Sequence, residues 1–295
     1  MEQPIFFLPI NYRLIYSFQE QSTSQSLFRR SKMPEALHVQ PLTESLEKQF
    51  ASYLDEDRVL HIFTIYDLRR ARDKTEVWLA LRQDRIASYL FEYDKRIVHA
   101  HGDAEGVPCL LRVIDINEPI FIIEPQHLAA VEKVFEPVQP TDSASKGRIT
   151  TYYVMTAKAD TFRPLIKHRV KKLNLDDLDE VSRSLGAEYR ERAETAVQRG
   201  MAFGAYENET LVSLATVPEI LEEAALIRGV YTAPSLRSRG LATSACSALA
   251  VELMGVGKTP VLWVAEDNIP ARKVYEKIGF ERTEHTLLGF KARRR

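Results

Sequence analysis

A chain of 295 residues that is 45% hydrophobic and 27% charged has room for two ordinary domains, and its net charge of −1 gives no global field to attract nucleic acid or an anionic membrane. Two cysteines, Cys109 and Cys246, are too few for a disulfide framework and favour a reducing, cytoplasmic setting. No apolar run reaches membrane-spanning length, and the run Ile5 to Ile10 lacks a basic leader, so no secretory signal is expected.

Residues 1–32 read either as a flexible extension or as a non-native upstream start, because Gln19 to Lys32 is polar and Met33-Pro-Glu-Ala resembles a fresh beginning. Leu46, Phe50, Tyr53 and Leu54 recur at helical spacing within Thr43 to Leu54, and a second helix is expected over Val59 to Leu68. Val77 to Ala80 and Ile86 to Phe91 read as strands divided by a Gln83-Asp84 turn, with a third strand over Ile97 to His101. His99 and His101 share a face of that strand; with Asp103 they lack a fourth metal ligand, so a polar strand face is the expectation. A helix over Glu105 to Val113, a strand Ile120 to Ile123 and a helix Gln126 to Phe135 follow. Pro137 to Gly147 is rich in proline and serine and reads as a loop, and Thr150 to Met155 as a strand.

The same order then recurs: strand Val170 to Leu173, helices Asp176 to Leu185 and Ala187 to Val197, and a hairpin of Met201 to Tyr206 with Leu211 to Val217. Strand Ala225 to Tyr231, helix Leu241 to Met254, strand Val261 to Val264, helix Ala271 to Ile278 and strand Phe280 to Phe290 complete it. Two helices, three strands, helix, strand, helix, strand describe both halves, which points to a duplicated α/β unit. Residues 33–160 form the expected first domain, 161–165 a linker and 166–295 the second domain. The basic end, Lys291 to Arg295, reads as a solvated tail.

Within the second half, Arg237-Ser238-Arg239-Gly240-Leu241-Ala242 lies between a strand and an apolar helix. A loop that leaves Gly240 at a helix N-terminus exposes unpaired N–H groups, and these with the helix dipole favour a phosphate. Gly257-Lys258-Thr259 only mimics a nucleotide P-loop: Glu252 stands where that motif needs glycine, and the element order is reversed. Downstream, Asp267 or Asn268 suits the cap of a helix, Pro270 its first turn and Gly279 the residue after its end, with Ala271, Val274, Tyr275 and Ile278 on one face.

These two pieces resemble the acyl-CoA site of the GNAT superfamily of N-acyltransferases, over about the last 130 residues. The loop matches the pattern Arg/Gln-x-x-Gly-x-Gly/Ala, with Ser238 where the family often has a further glycine. The first half resembles a degenerate copy that lacks the phosphate loop, so the expected fold is α/β, two GNAT-like mixed-sheet domains in tandem. The layout is similar to that of glycine N-acyltransferase-like proteins.

The resemblance implies an acetyl or other short acyl-CoA as donor, no metal, and a primary amine, including a small amino acid, as acceptor. It implies direct attack on the thioester through a tetrahedral intermediate. Val230 would supply an N–H to the developing oxyanion. Tyr231, Arg237, Ser238, Arg239, Gly240, Leu241, Ala242 and Asn268 would hold the CoA, and Tyr275 would protonate the leaving thiolate. Strand Leu226 to Tyr231 should splay from Val261 to Val264 and leave a gap for pantetheine, with the acceptor cleft between the halves. Glu222, Glu223 and Glu266 are acids near this region, and Glu223 is the choice for general base. Two other classes stay open: a non-catalytic acyl-CoA-binding regulatory module and a protein N-acetyltransferase. Nothing in the sequence speaks to oligomeric state.

Overall fold

Short local signals build the strands. Gln83 and Asp84 both take left-handed backbone (φ +47° and +59°), as do Asn208 and Glu209 (φ +48° and +61°). Two such residues in succession make the tight turn whose twist matches a hairpin. The turns join β2 (Thr75–Arg82) to β3 (Arg85–Tyr93) and, in the second half, β9 (Ala202–Glu207) to β10 (Thr210–Ile220).

The computed structural model describes residues 36–138 and 149–295. The expectation for residues 1–32, and nearly all of the loop expected over 137–147, lie outside the described residues. The first half contains β1 (His38–Pro41), α1 (Glu44–Asp55), α2 (Ile62–Arg70), β2, β3, β4 (Ile97–Gly102), α3 (Gly106–Leu110), β5 (Ile120–Ile123), α4 (Leu128–Val131), β6 (Phe135–Pro137) and β7 (Thr150–Ala157). The second contains β8 (Arg169–Lys172), α5 (Leu178–Leu185), α6 (Ala187–Gln198), β9, β10, β11 (Ala224–Thr232), α7 (Leu241–Gly255), β12 (Thr259–Ala265), α8 (Ile269–Lys277) and β13 (Phe280–Arg294). Among the described residues no helix is long and apolar enough to cross a membrane.

One mixed sheet carries both halves, in the order β1-β2-β3-β4-β5-β13-β7-β12-β11-β10-β9-β8. The order reads the same from either edge, and the halves exchange their last strands. β7, from the first half, lies antiparallel to β12 of the second (Val261↔Thr156 to Ala265↔Tyr152). β13, from the second, lies antiparallel to β5 of the first (Leu288↔Ile123 to Lys291↔Ile120). β7 and β13 pair with each other at the centre. Each half therefore covers a sheet edge that the other would leave open. The connection proposed as a linker, 161–165, runs between β7 and β8 beneath α7, where Ser247 Oγ accepts from Leu165 N–H at 3.0 Å and Ser244 Oγ from Lys167 N–H at 3.1 Å. Those buried serines make α7 polar on a side that the apolar stripe of Cys246, Leu249 and Leu253 left unassigned.

Three sequence expectations are corrected by long-range pairing. The helix expected over Gln126 to Phe135 is cut to one turn, α4, because Phe135 pairs with Arg294 and buries its ring 5.0 Å from Phe121. The basic end is no solvated tail: Ala292 is buried, and Lys291 and Arg293 hold Glu118 at 2.6 and 3.1 Å. His99 and His101 form no exposed polar face. Both are buried beneath α2 with His61, His101 Nδ1 lies 3.3 Å from Glu124, and His61 Nδ1 lies 2.8 Å from the Tyr89 hydroxyl.

Burial, then the neighbouring His101, pushes His61 and His99 each down to about 3. Burial would raise Glu124, but hydrogen bonds from His101 and His127 outweigh it and hold the carboxyl low. Burial likewise opposes, and the His285 contact outweighs, in Asp57, which is also lowered. In the other direction, burial pushes Asp67 up to about 6 and Glu92 up to about 7. From pH 7 to about 4.5 the folded acids bind protons while the unfolded histidines do too, so the two effects oppose. Below about 4.5 the unfolded state holds more protons: its His61 and His99 are already charged while those of the fold stay largely neutral, and its acids now take up protons that the folded Glu124 and Asp57 resist. Stability should stay level down to about pH 5 and then fall by about 2–3 kcal/mol per pH unit. Urea unfolding at stepped pH checks this, and a level profile to pH 3.5 would contradict it.

Candidate functional site

β11 and β12 run parallel and in register from Ala224↔Thr259 to Ile227↔Leu262, and there the pairing stops although both strands continue. The cause is a bulge. Thr216 of β10 pairs with Arg228, and Leu214 with Tyr231, so β11 holds one extra residue. Gly229 takes φ +60° at that point, and a Cβ there would lie 2.7 Å from Thr216 Oγ1, which donates to the Arg228 carbonyl. Beyond the bulge β11 bends away and a gap opens.

The gap is closed at one end by the loop into α7. Arg237 donates from Nε to the Thr232 carbonyl at 3.2 Å and sits over the Tyr231 ring. Ser238 takes φ +65°, and Gly240 (φ +89°) is the N-cap of α7 with no capping side chain. The first intrahelical bond runs from Ser244 N–H to the Gly240 carbonyl, so the N–H groups of Leu241, Ala242 and Thr243 have no partner within the helix. His168 Nε2 holds the Arg239 carbonyl at 2.8 Å and fixes the loop from below.

At the other wall, Asn268 caps α8 by accepting from Ala271 N–H at 3.2 Å, with Pro270 in the first turn. This cap contributes about 1 kcal/mol. It sets α8 so that Tyr275, 7% exposed, points back under the bulge. Burial first, and the adjacent Cys246 second, push its phenol far above the ordinary tyrosine value. The hydroxyl therefore stays protonated at neutral pH.

Two clefts meet here. The first, about 930 Å³, runs from the α7 N-terminus along the gap to α8. The second, about 540 Å³, opens on the opposite side, between α2 of the first half and β11 of the second. Tyr152, Val230, Trp263 and Tyr275 line both. A group lying in the first cleft can meet a group in the second at those four side chains.

The corresponding turn of the first half, before α3, is already occupied by the protein's own side chains. Asp103 Oδ1 accepts from Glu105 N–H at 3.0 Å and Gly106 N–H at 2.7 Å, so a carboxylate already fills the mouth of α3. Arg82 is spent on Asp103 and Glu105, at 2.8 and 2.7 Å. An anion finds neither free N–H groups nor an unpaired cation there.

Comparison with known proteins gives the same architecture. The FR47-like protein family model matches residues 202–288, which span β9 to most of β13 and include every lining residue of the first cleft except Tyr152. A GCN5-related N-acetyltransferase from Sphaerobacter thermophilus superposes with a TM-score of 0.59 at 13% identity, over 88% of this chain and 95% of that one. An acetyltransferase of the GNAT family from Colwellia psychrerythraea superposes with a TM-score of 0.53 at 13% identity, over 86% and 99%. The fold is that of the GNAT acetyltransferases. A tandem GNAT protein from the clavulanic acid biosynthesis pathway also superposes, with a TM-score of 0.51 at 14% identity over 88% of this chain and 98% of that one. No curated protein matches the chain.

Within this GNAT fold, Val230, Tyr231, Arg237, Ser238, Gly240, Leu241, Ala242, Asn268 and Tyr275 all line the first cleft. Arg239 does not: its guanidinium turns outward to Glu207 at 3.3 Å. Glu223 is not brought to the site either. It lies in the turn before β11, at the end opposite the bulge, where it pairs with Arg58. Glu222 shares that turn, and Glu266 is held by the Tyr153 hydroxyl. Sequence reasoning missed Lys273 and Lys277, which line the first cleft from α8, although their spacing of four residues on one helix face was a readable signal. It also missed Tyr152 and Trp263. Tyr152 arrives on the exchanged strand β7, for which no local signal exists.

Proposed function

We propose that the protein is an N-acyltransferase that moves an acetyl or other short acyl group from acyl-CoA to a primary amine. GNAT acetyltransferases use acetyl-CoA as donor, and the first cleft fits that molecule. Unpaired N–H groups of Leu241, Ala242 and Thr243 suit a diphosphate, and Arg237 beside the α7 N-terminus and Lys273 and Lys277 on α8 are cations lining the same cleft. Tyr231 and Asn268 flank the pantetheine path. The observation that carries the reading is the meeting of the two clefts at Val230 and Tyr275.

The chain's own groups then divide the work. Val230 offers its main-chain N–H to the carbonyl oxygen as negative charge develops there. The amine nitrogen enters from the second cleft and bonds to the carbonyl carbon, giving a tetrahedral intermediate from which the carbon–sulfur bond then breaks. Tyr275, kept protonated by burial, gives its phenolic proton to the departing sulfur, and the amine nitrogen's proton returns to the phenolate through water. The walls of the gap exclude bulk water from the thioester.

Release of free thiol from acetyl-CoA, followed over a panel of amines, tests the reading. Tyr275→Phe should lower kcat by about 10²–10³-fold and leave CoA affinity within threefold. Tight CoA binding with no thiol release on any amine would instead mark a binding module. Acetylation of proteins and not of free amines would mark a protein-modifying enzyme.

A further inference from the structure

Glu219 ends β10 and faces the second cleft, 8% exposed. One carboxylate oxygen accepts from Arg228 at 2.5 Å, and the other, Oε2, is buried with no hydrogen-bond partner. A buried carboxylate oxygen left unmatched is unfavourable, and it is most simply relieved by a donor that arrives with a ligand. Asp67, from α2 of the first half, lines the same end of the cleft. Burial and then repulsion from Glu219 push its carboxyl up to about 6. Burial also raises Glu219, against the pull of Arg228. Arg228, the cation in the cleft lining, is already bound to Glu219 and stacked 5.1 Å over the Phe63 ring, while Arg199, which also acts on Glu219, lies outside that lining with its guanidinium on the Pro218 carbonyl.

The position of this pair along the strand matters. Glu219 is paired with Leu226, and Arg228 is next to the bulge. At about 3.3 Å per residue, the carboxylates stand roughly 7–13 Å along β11 from Val230. They are too far to take a proton from an amine attacking at Val230. Between them and the junction the wall is largely aromatic and apolar, formed by Phe63, Ile122, Trp263 and the buried His99, with the Phe63 and Trp263 rings 4.7 Å apart.

We propose that the second cleft selects a primary amine with an apolar spacer and a second, positively charged group at its far end, held by Glu219 and Asp67. The inference rests on the acyl-transfer reading for which end reacts. The near nitrogen forms the carbon–nitrogen bond, the carbon–sulfur bond then breaks, and the thiolate takes up the proton as above. The far nitrogen keeps its proton and its charge and is not acylated. ω-Amino acids are disfavoured, because a carboxylate at the far end of the spacer would face Glu219 and Asp67.

Three probes of one length separate the possibilities: 1,5-diaminopentane, pentylamine and 6-aminohexanoate, each tested for thiol release from acetyl-CoA. The kcat/KM for the diamine should exceed that for pentylamine by about tenfold or more and that for 6-aminohexanoate by about a hundredfold. In Glu219→Gln, and independently in Asp67→Asn, the ratio of diamine to pentylamine should fall towards one, while calorimetric CoA affinity shows that each variant is folded. Equal rates for diamine and pentylamine, or a preference for 6-aminohexanoate, would overturn the proposal. Should no amine release thiol, the acyl-transfer reading fails by itself. Titration of 1,5-diaminopentane into the CoA-loaded protein then decides: heat that Glu219→Gln abolishes upholds the cationic site, and no heat overturns it.

Discussion

Ser238→Asp should weaken CoA binding by about 10²–10³-fold while leaving the protein at least as stable as before. The two halves supply the comparison. In the first, Asp103 stands three residues before α3 and accepts from the N–H groups at the helix mouth. Ser238 stands three residues before α7, with left-handed backbone that aspartate tolerates (φ +65°). A carboxylate there reaches the same kind of N–H groups and interacts favourably with the helix dipole, worth about 0.5–1 kcal/mol. The same charge faces the diphosphate. At about 4 Å and an effective dielectric near 20, one carboxylate opposes one phosphate charge by about 4 kcal/mol. The expected loss is about 10²–10³-fold in CoA affinity by calorimetry, with an unchanged or raised urea midpoint. Ser238→Gly serves as the control, since it relieves the left-handed strain and adds no charge, and CoA affinity should hold within threefold. An aspartate variant that still bound CoA normally would remove the α7 mouth from the site.

Gly279→Ala should cost about 3 kcal/mol and lower Tm by roughly 5–10 °C. Gly279 has φ +90° directly after α8, and a Cβ on it would come within 2.3 Å of the Thr161 carbonyl oxygen and 2.9 Å of Phe162 Cα. Both are main-chain atoms, so no side-chain rotation relieves the clash. The contact is also where the connection between the halves is pinned, because Arg163 N–H donates to the Ile278 carbonyl at 2.9 Å. Moving it would displace the C-terminal end of α8 and with it Tyr275. Differential scanning calorimetry reads the stability, and a Tm within 2 °C of the parent would show that the chain shifts freely at this crossing.

The motifs that were legible in the sequence are those whose physics is local. The turns at Gln83-Asp84 and Asn208-Glu209, the cap at Asn268, the Gly279 stop and the loop Arg237 to Ala242 each depend on backbone dihedrals and hydrogen bonds within a few residues. All appear where those residue types place them. The splay of β11 was expected from Pro234 and the loop that follows the strand, but its cause lies earlier, at the bulge that Gly229 permits and that ends the pairing with β12.

What failed depended on segments that lie far apart in the chain. Glu223 was near the central strand in sequence but at its wrong end in space, because a strand places residues a few positions apart more than 10 Å from one another. The helix expected up to Phe135 lost its end to a strand more than 150 residues later.

By itself, then, the sequence determined the duplicated order of elements and the loop Arg237 to Ala242 that leads into α7, since periodicity, capping and turn chemistry act over one or two turns of chain. Only the tertiary structure decided that the halves exchange β7 and β13, that Tyr152 from the first half lines the junction, and that Asp67 and Glu219 share one cleft. Those juxtapositions come from strand pairing and burial between distant segments, and no window of sequence contains both partners.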